Sequence, residues 1–286
     1  MKILISIILL LLLVLNLGFE VDEGALKVQD EAFDRAMIAF GLAKGLNAII
    51  SLIQGTELSF TPVGVGLNFS IGEVLDPFND IVERFSWVML GASVSLGIQK
   101  ILLSLSAKVF LQVLFALGVV VSIFLLWSKK VHSKGLFIYS FKFFMLLFIF
   151  RFSAIIFVYS SNLLYVTTLQ EKYEHSSVVV MSTKVELQEL QEQNKQIMNK
   201  KNESGFFSEF ENKYSKLKNS LDLSKQLDGM QESIELASRN IVNLITIFIL
   251  QTILMPLLFL WLMILSIKAV FHLKFEDKVL NLLYNH

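Results

Sequence analysis

Three apolar runs decide most of what this chain can become. Residues 109–127 ("VFLQVLFALGVVVSIFLLW"), 135–159 ("GLFIYSFKFFMLLFIFRFSAIIFVY") and 242–267 ("VNLITIFILQTILMPLLFLWLMILSI") are each long enough as helices to cross a hydrocarbon core about 30 Å thick. No water is available there to satisfy the backbone, so each run must close its own hydrogen bonds as a transmembrane α-helix. Composition agrees. The 286 residues are 54% hydrophobic with a mean hydropathy of +0.62. Only 17% are charged, where soluble domains carry about 25%. The expected fold is an all-α integral membrane protein.

The same composition excludes whole classes of function. Lys plus Arg and Asp plus Glu balance at 25 each, so no global positive field points to nucleic acid. The chain has no cysteine, which removes disulfides, thiolate nucleophiles and thiolate metal ligands. Its four histidines, at 132, 175, 272 and 286, are too dispersed for a metal cage. "GVGLNFSIG" lacks the Gly-Lys-Ser/Thr ending of a phosphate loop. Neither an enzyme nor a cofactor is expected.

Charge fixes the orientation. "MKILISIILLLLLVLNLG" has one lysine and then a leucine-rich core, the layout of a secretory signal. Asn16-Leu17-Gly18 is not a small-x-small cleavage site, and both a cleaved signal peptide and a retained signal anchor over 1–19 fit. Either way Lys2 stays in the cytoplasm. The loop "SKKVHSK" carries Lys129, Lys130 and Lys134, and Lys268, Lys274 and Lys278 follow the last span. By the positive-inside rule both stretches are cytoplasmic, which places 160–241 outside.

Residues 20–106 read as an apolar extracytoplasmic or half-inserted region. Within it 31–54 and 86–106 are long enough to span, yet are amphipathic or re-entrant in character. Lys44, Asn47, Ser51 and Gln54 share one face of the first, and small residues such as Ala36, Ala39 and Ala43 suit close packing. Between them, Val63, Val65, Leu67, Phe69 and Ile71 alternate with Gly64, Gly66, Asn68, Ser70 and Gly72, the pattern of a short β-hairpin. Asp76-Pro77 then reads as a helix start, with Asp76 as the cap. Asp76, Asp80 and Glu83 follow one face at steps of four and three. They form a solvated acidic face or, alternatively, a hard-oxygen cation or proton site.

Residues 160–241 carry a seam. Val166, Leu169, Tyr173, Ser176, Val180, Thr183, Leu187, Leu190, Asn194 and Ile197 keep an unbroken 3-4 spacing. Leu227, Met230, Ile234, Ala237, Ile241, Leu244 and Phe248 repeat it, and "NKKNESGFFSEFEN" interrupts between them. The expected element is an antiparallel coiled-coil hairpin whose arms of about 35 residues would reach roughly 50 Å. Phe206, Phe207 and Phe210 at its tip are candidate docking residues.

Two charges sit inside a span. Lys142 lies about a third of the way along 135–159 and Arg151 just past its middle, and no acidic residue occurs in any of the three runs. Lys142 is expected to snorkel to the cytoplasmic face. Arg151 is expected either to reach a lipid phosphate or to meet Glu83 or Asp80, with Gln251 and Pro256 in the last span receiving or relieving a polar contact. A water-filled pathway lined by Arg151 and Lys142 would favour anions.

The segments "GLAKGLNAIISLIQGTELSF" and "GEVLDPFNDIVERFSWVML" resemble uncharacterised inner-membrane proteins predicted in proteobacterial genomes, over roughly residues 35–105. That resemblance implies a bacterial inner-membrane location and no activity. Five segments are expected: 1–19 signal or anchor, 20–106 the apolar region, 107–159 a transmembrane hairpin, 160–241 the coiled coil, and 242–286 a last span with a cytoplasmic tail. The expected role is a structural or interaction component, partnered by the bilayer and by copies of itself or an extracytoplasmic protein. The alternative is a subunit of an oligomeric channel or transporter.

Overall fold

The computed structural model describes residues 2–17, 19–55, 71–128, 134–203 and 211–272. Among them every residue except Ala107, Lys108 and Ser128 is helical. The helices are α1 (Lys2–Leu17), α2 (Phe19–Gly55), α3 (Ile71–Ser106), α4 (Val109–Trp127), α5 (Lys134–Leu164), α6 (Gln170–Glu203), α7 (Glu211–Ile249) and α8 (Met255–His272). Two π-helical turns, Tyr165–Leu169 and Leu250–Leu254, join α5 to α6 and α7 to α8. Among the described residues, five helical stretches are long and apolar enough to cross a membrane: Val21–Gln54, Leu75–Ser106, Val109–Trp127, Ile138–Glu192 and Gln231–His272.

Chain contacts divide the protein into two compact units. The first comprises Met1–Asp34, Val94–Thr167 and Leu250–His286. Here α4 packs on both α1 and α5, and α5 packs on α8. Phe115 of α4 anchors the core, with ring centroids 5.2, 6.5 and 5.5 Å from Phe144, Phe148 and Phe152, which lie one turn apart along α5. Such tilted and edge-on aromatic pairs add to the gain from apolar burial. Gly118 makes the close approach possible, because a Cβ there would stand 3.2 Å from Leu147 Cδ1. Phe157 of α5 meets Phe259 of α8 at 5.1 Å.

The second unit comprises Arg35–Ser93 and Thr168–Ile249. Each of its helices buries one stripe. In α3 the stripe is Leu75, Phe78, Val82, Phe85, Met89 and Ala92, a strict 3-4 repeat with every member essentially inaccessible. In α2 it is built around Ala36, Ala39, Ala43, Leu46, Ile50 and Ile53. The stripe of Lys44, Asn47, Ser51 and Gln54 lies off this buried face, with Lys44 and Ser51 exposed.

The helices α6 and α7 pack on each other. Ser176, Val180, Thr183 and Leu187 are buried on one, Ile234, Ala237, Ile241 and Leu244 on the other. Tyr173 meets Phe248 edge-on at 6.0 Å. Val166 departs from the expected seam and is 54% exposed. It falls in the first π turn, where i→i+5 bonding takes one more residue per hydrogen-bonded ring than α-helix and rotates what precedes it out of phase.

Two sequence expectations need correction. Asp76 does not cap a helix, because α3 is already under way at Ile71 and Pro77 lies inside it. Pro77 gives no N–H to the carbonyl of Glu73, a loss that normally ends a helix. Full burial of Leu75 and Phe78 on either side holds the turn helical instead. Likewise Ile71 and Gly72, expected in an extended run, belong to this first helical turn. The rest of that run, residues 58–70, lies outside the described residues, as do Phe206, Phe207 and Phe210.

Truncating the α3 stripe should be far more damaging than altering its outer face. Phe85→Ala is expected to cost about 3–5 kcal/mol, whereas Glu83→Ala should stay within about 0.5 kcal/mol. Thermal unfolding of the two detergent-purified variants, followed by circular dichroism, checks the contrast.

Candidate functional site

The most constrained polar group in the protein is Arg151, 2% exposed in the middle of α5. A guanidinium taken out of water is costly unless charge and hydrogen bonds are both returned to it. Here they are. Its Nη1 and Nη2 donate to Asp22 Oδ1 and Oδ2 at 2.9 and 2.6 Å, the bidentate fork that best matches a carboxylate. Its Nε donates to Asn16 Oδ1 at 3.0 Å. The Phe152 ring lies 5.4 Å from the guanidinium carbon.

The partners are themselves held. Gln112 Nε2 donates to Asp22 Oδ2 at 3.1 Å, and Asn16 Nδ2 donates to the Gln112 carbonyl at 3.0 Å. Asn16, Asp22, Gln112 and Arg151 are all buried and close a ring of hydrogen bonds across four helices. Helix ends reinforce the charge pattern. Asp22 and Gln112 lie in the opening residues of α2 and α4, whose positive dipole ends favour the carboxylate, while Asn16 lies in the last turn of α1. The cluster is neutral overall and fully engaged. It ties α1, α2, α4 and α5 together.

The carboxylate that Arg151 pairs with is thus Asp22, not one of the acids expected from the sequence. Sequence reasoning missed its true partner because Asp22 lies outside the three apolar runs, just beyond the N-terminal leucines. A usable signal did exist. Asn16 and Gln112 are lone carboxamides in apolar surroundings, and each needs a polar partner once buried.

The other candidates are dispersed. Lys142 is nine residues, about 14 Å, from Arg151 along α5. Its Nζ donates to the Phe271 carbonyl at 2.8 Å, satisfying the C-terminal end of α8. Gln251 is buried in the second π turn and takes no part in the hydrogen bonds around Arg151. Asp76, Asp80 and Glu83 are exposed on α3, and Asp76 Oδ1 accepts Gln54 Nε2 at 2.6 Å. Among the described residues no group of three His, Asp or Glu side chains is arranged to hold a metal ion.

A second polar chain serves the last span. Pro256 has no N–H to give Thr252, four residues earlier. The Thr252 carbonyl accepts Ser95 Oγ at 2.8 Å. Gln99 Nε2 donates to Ser95 Oγ at 3.3 Å, and Gln29 Nε2 donates to Gln99 Oε1 at 3.4 Å and to the Leu96 carbonyl at 3.0 Å. Donors and acceptors thus run in one direction from α2 through α3 to the π turn. Beside this chain Lys100 Nζ pairs with Asp30 Oδ1 at 2.6 Å.

Breaking either partner of the buried ion pair should destabilise more than removing both. Asp22→Leu or Arg151→Met alone is expected to cost about 3–5 kcal/mol, and the double variant to recover most of it. Melting temperatures of the two single variants and the double variant in one detergent form the test cycle. Ser95→Ala should cost about 1 kcal/mol.

No protein-family model, curated protein or solved structure matches this chain.

Proposed function

We propose that the protein is a structural, protein-interaction component of a bacterial inner membrane, presenting α6 and α7 as an extracytoplasmic antiparallel coiled-coil hairpin. Burial of the alternate seam positions in both helices supports the coiled coil, and the basic segments flanking the spans support its sidedness. Trp127 at the end of α4 and Tyr139 near the start of α5 are exposed, which supports an interface at that level. Tyr159, twenty residues further along α5, lies about 30 Å away, one hydrocarbon thickness. Aromatic side chains of this kind favour the two interfaces.

The observation that carries this reading is a stripe on α6. Val178, Met181 and Val185 stand exposed at steps of three and four, away from the buried seam. Isolated surface apolar residues need no explanation, but a contiguous stripe on a polar helix fits a docking face. The surroundings of the two intramembrane cations favour the scaffold reading over the channel alternative. Arg151 is neutralised by Asp22, and Lys142 is engaged at the end of α8.

A photo-crosslinking amino acid at Met181, activated in intact cells, should give discrete protein adducts, while one at exposed Glu189 should give few. Vesicles holding the purified protein should show no anion flux. A flux that Arg151→Leu alters would overturn the scaffold reading in favour of the channel.

A further inference from the structure

The N-terminal apolar segment fits equally a leader that is cut off and a helix that stays, but its packing distinguishes the two. We infer that α1 is a permanent helix of the mature protein, built into the bundle through Asn16, Ser6 and Leu9.

Asn16 is fully buried and its carboxamide works in both directions, accepting from Arg151 Nε and donating to the Gln112 carbonyl. At the other end of the helix, Ser6 Oγ accepts Trp127 Nε1 at 3.1 Å. These two contacts set α1 antiparallel to α4 along most of its length. Leu9, between them, is buried in the same core as Phe115, Val119 and Phe144. A leader destined for removal has no need of complementary polar contacts at both ends and a core residue in the middle.

The chemistry of removal argues the same way. Cutting near Gly18 would strip Arg151 Nε of its acceptor inside a buried cluster. It would also create an α-amino group a few residues from Asp22, a second cation competing with Arg151 for one carboxylate. Apolar core surface on α4 would lose its cover. The boundary is sealed from the far side too. Tyr159 Oη donates to the Val21 carbonyl at 3.4 Å, and Gly24 leaves room for it, since a Cβ there would stand 2.6 Å from that oxygen. α1 and the start of α2 are therefore held in the same bundle, one by Asn16 and the other by Asp22 and Val21. With α1 retained, it stays packed beside α4 in the same unit as α5 and α8.

This inference shares with the preceding reading only the membrane placement; it does not need the hairpin to dock anything. The intact mass and N-terminal sequence of the purified full chain test it directly. The expected result is the mass of the 286-residue chain, about 32.5 kDa apart from loss of the initiator methionine. A chain beginning between residues 18 and 22 would overturn the inference. Asn16→Leu in the full chain gives an independent readout. It should lower the melting temperature by about 5 °C through the unsatisfied arginine N–H, and an unchanged melting temperature would also overturn the inference. Failure of crosslinking at Met181, by contrast, would leave both results untouched.

Discussion

A single charge pair sets the terms for the first of the two units. Arg151 sits about 18 Å along α5 from Tyr139 and about 12 Å from Tyr159, a depth at which an unpaired guanidinium would need local thinning of the bilayer or a file of water. Asp22 removes that need by returning charge and two hydrogen bonds at once. Bringing Asp22 to that depth requires α2 to begin inside the bundle. This in turn fixes where α1 must end and where α4 must start. The aromatic packing around Phe115 stabilises the same helices, but apolar packing tolerates small slips that a bidentate ion pair does not.

The polar groups in this unit act as fasteners placed at different heights. In the early turns of α5 Lys142 closes on α8. Deeper in, the four-residue cluster joins α1, α2, α4 and α5. The chain from Gln29 through Gln99 and Ser95 then reaches the second π turn. Lipid tails are as apolar as leucine, so hydrophobic burial alone cannot drive one span against another. Directional bonds of this kind supply the register that packing leaves loose.

Much of this could be read from the residues alone. The apolar runs at 109–127, 135–159 and 242–267 reappear within long helices, since length and hydropathy leave no other backbone solution. The 3-4 spacing from Ser176 to Leu187 and from Ile234 to Leu244 marks buried positions, because that periodicity follows directly from helical geometry. What stayed hidden depends on contacts between distant segments. Nothing local to "VDEG" announces that Asp22 will meet a residue 129 positions away. Pro77 misled for the opposite reason: its local preference is strong, and tertiary burial of Leu75 and Phe78 overrides it. Val166 failed because a π turn leaves no trace in the hydrophobic spacing.

Those π turns have a consequence for how the sequence can vary. Each ring of i→i+5 bonds holds one residue more than an α-helical ring, so a π turn behaves as an insertion already absorbed into a helix. Losing one residue from Tyr165–Leu169 or Leu250–Leu254 would return that turn to ordinary α-helix and leave the faces on both sides aligned. The same loss a turn away would rotate everything beyond it by about 100° at 3.6 residues per turn. These two short segments are thus the places where α5–α6 and α7–α8 can change length without changing partners.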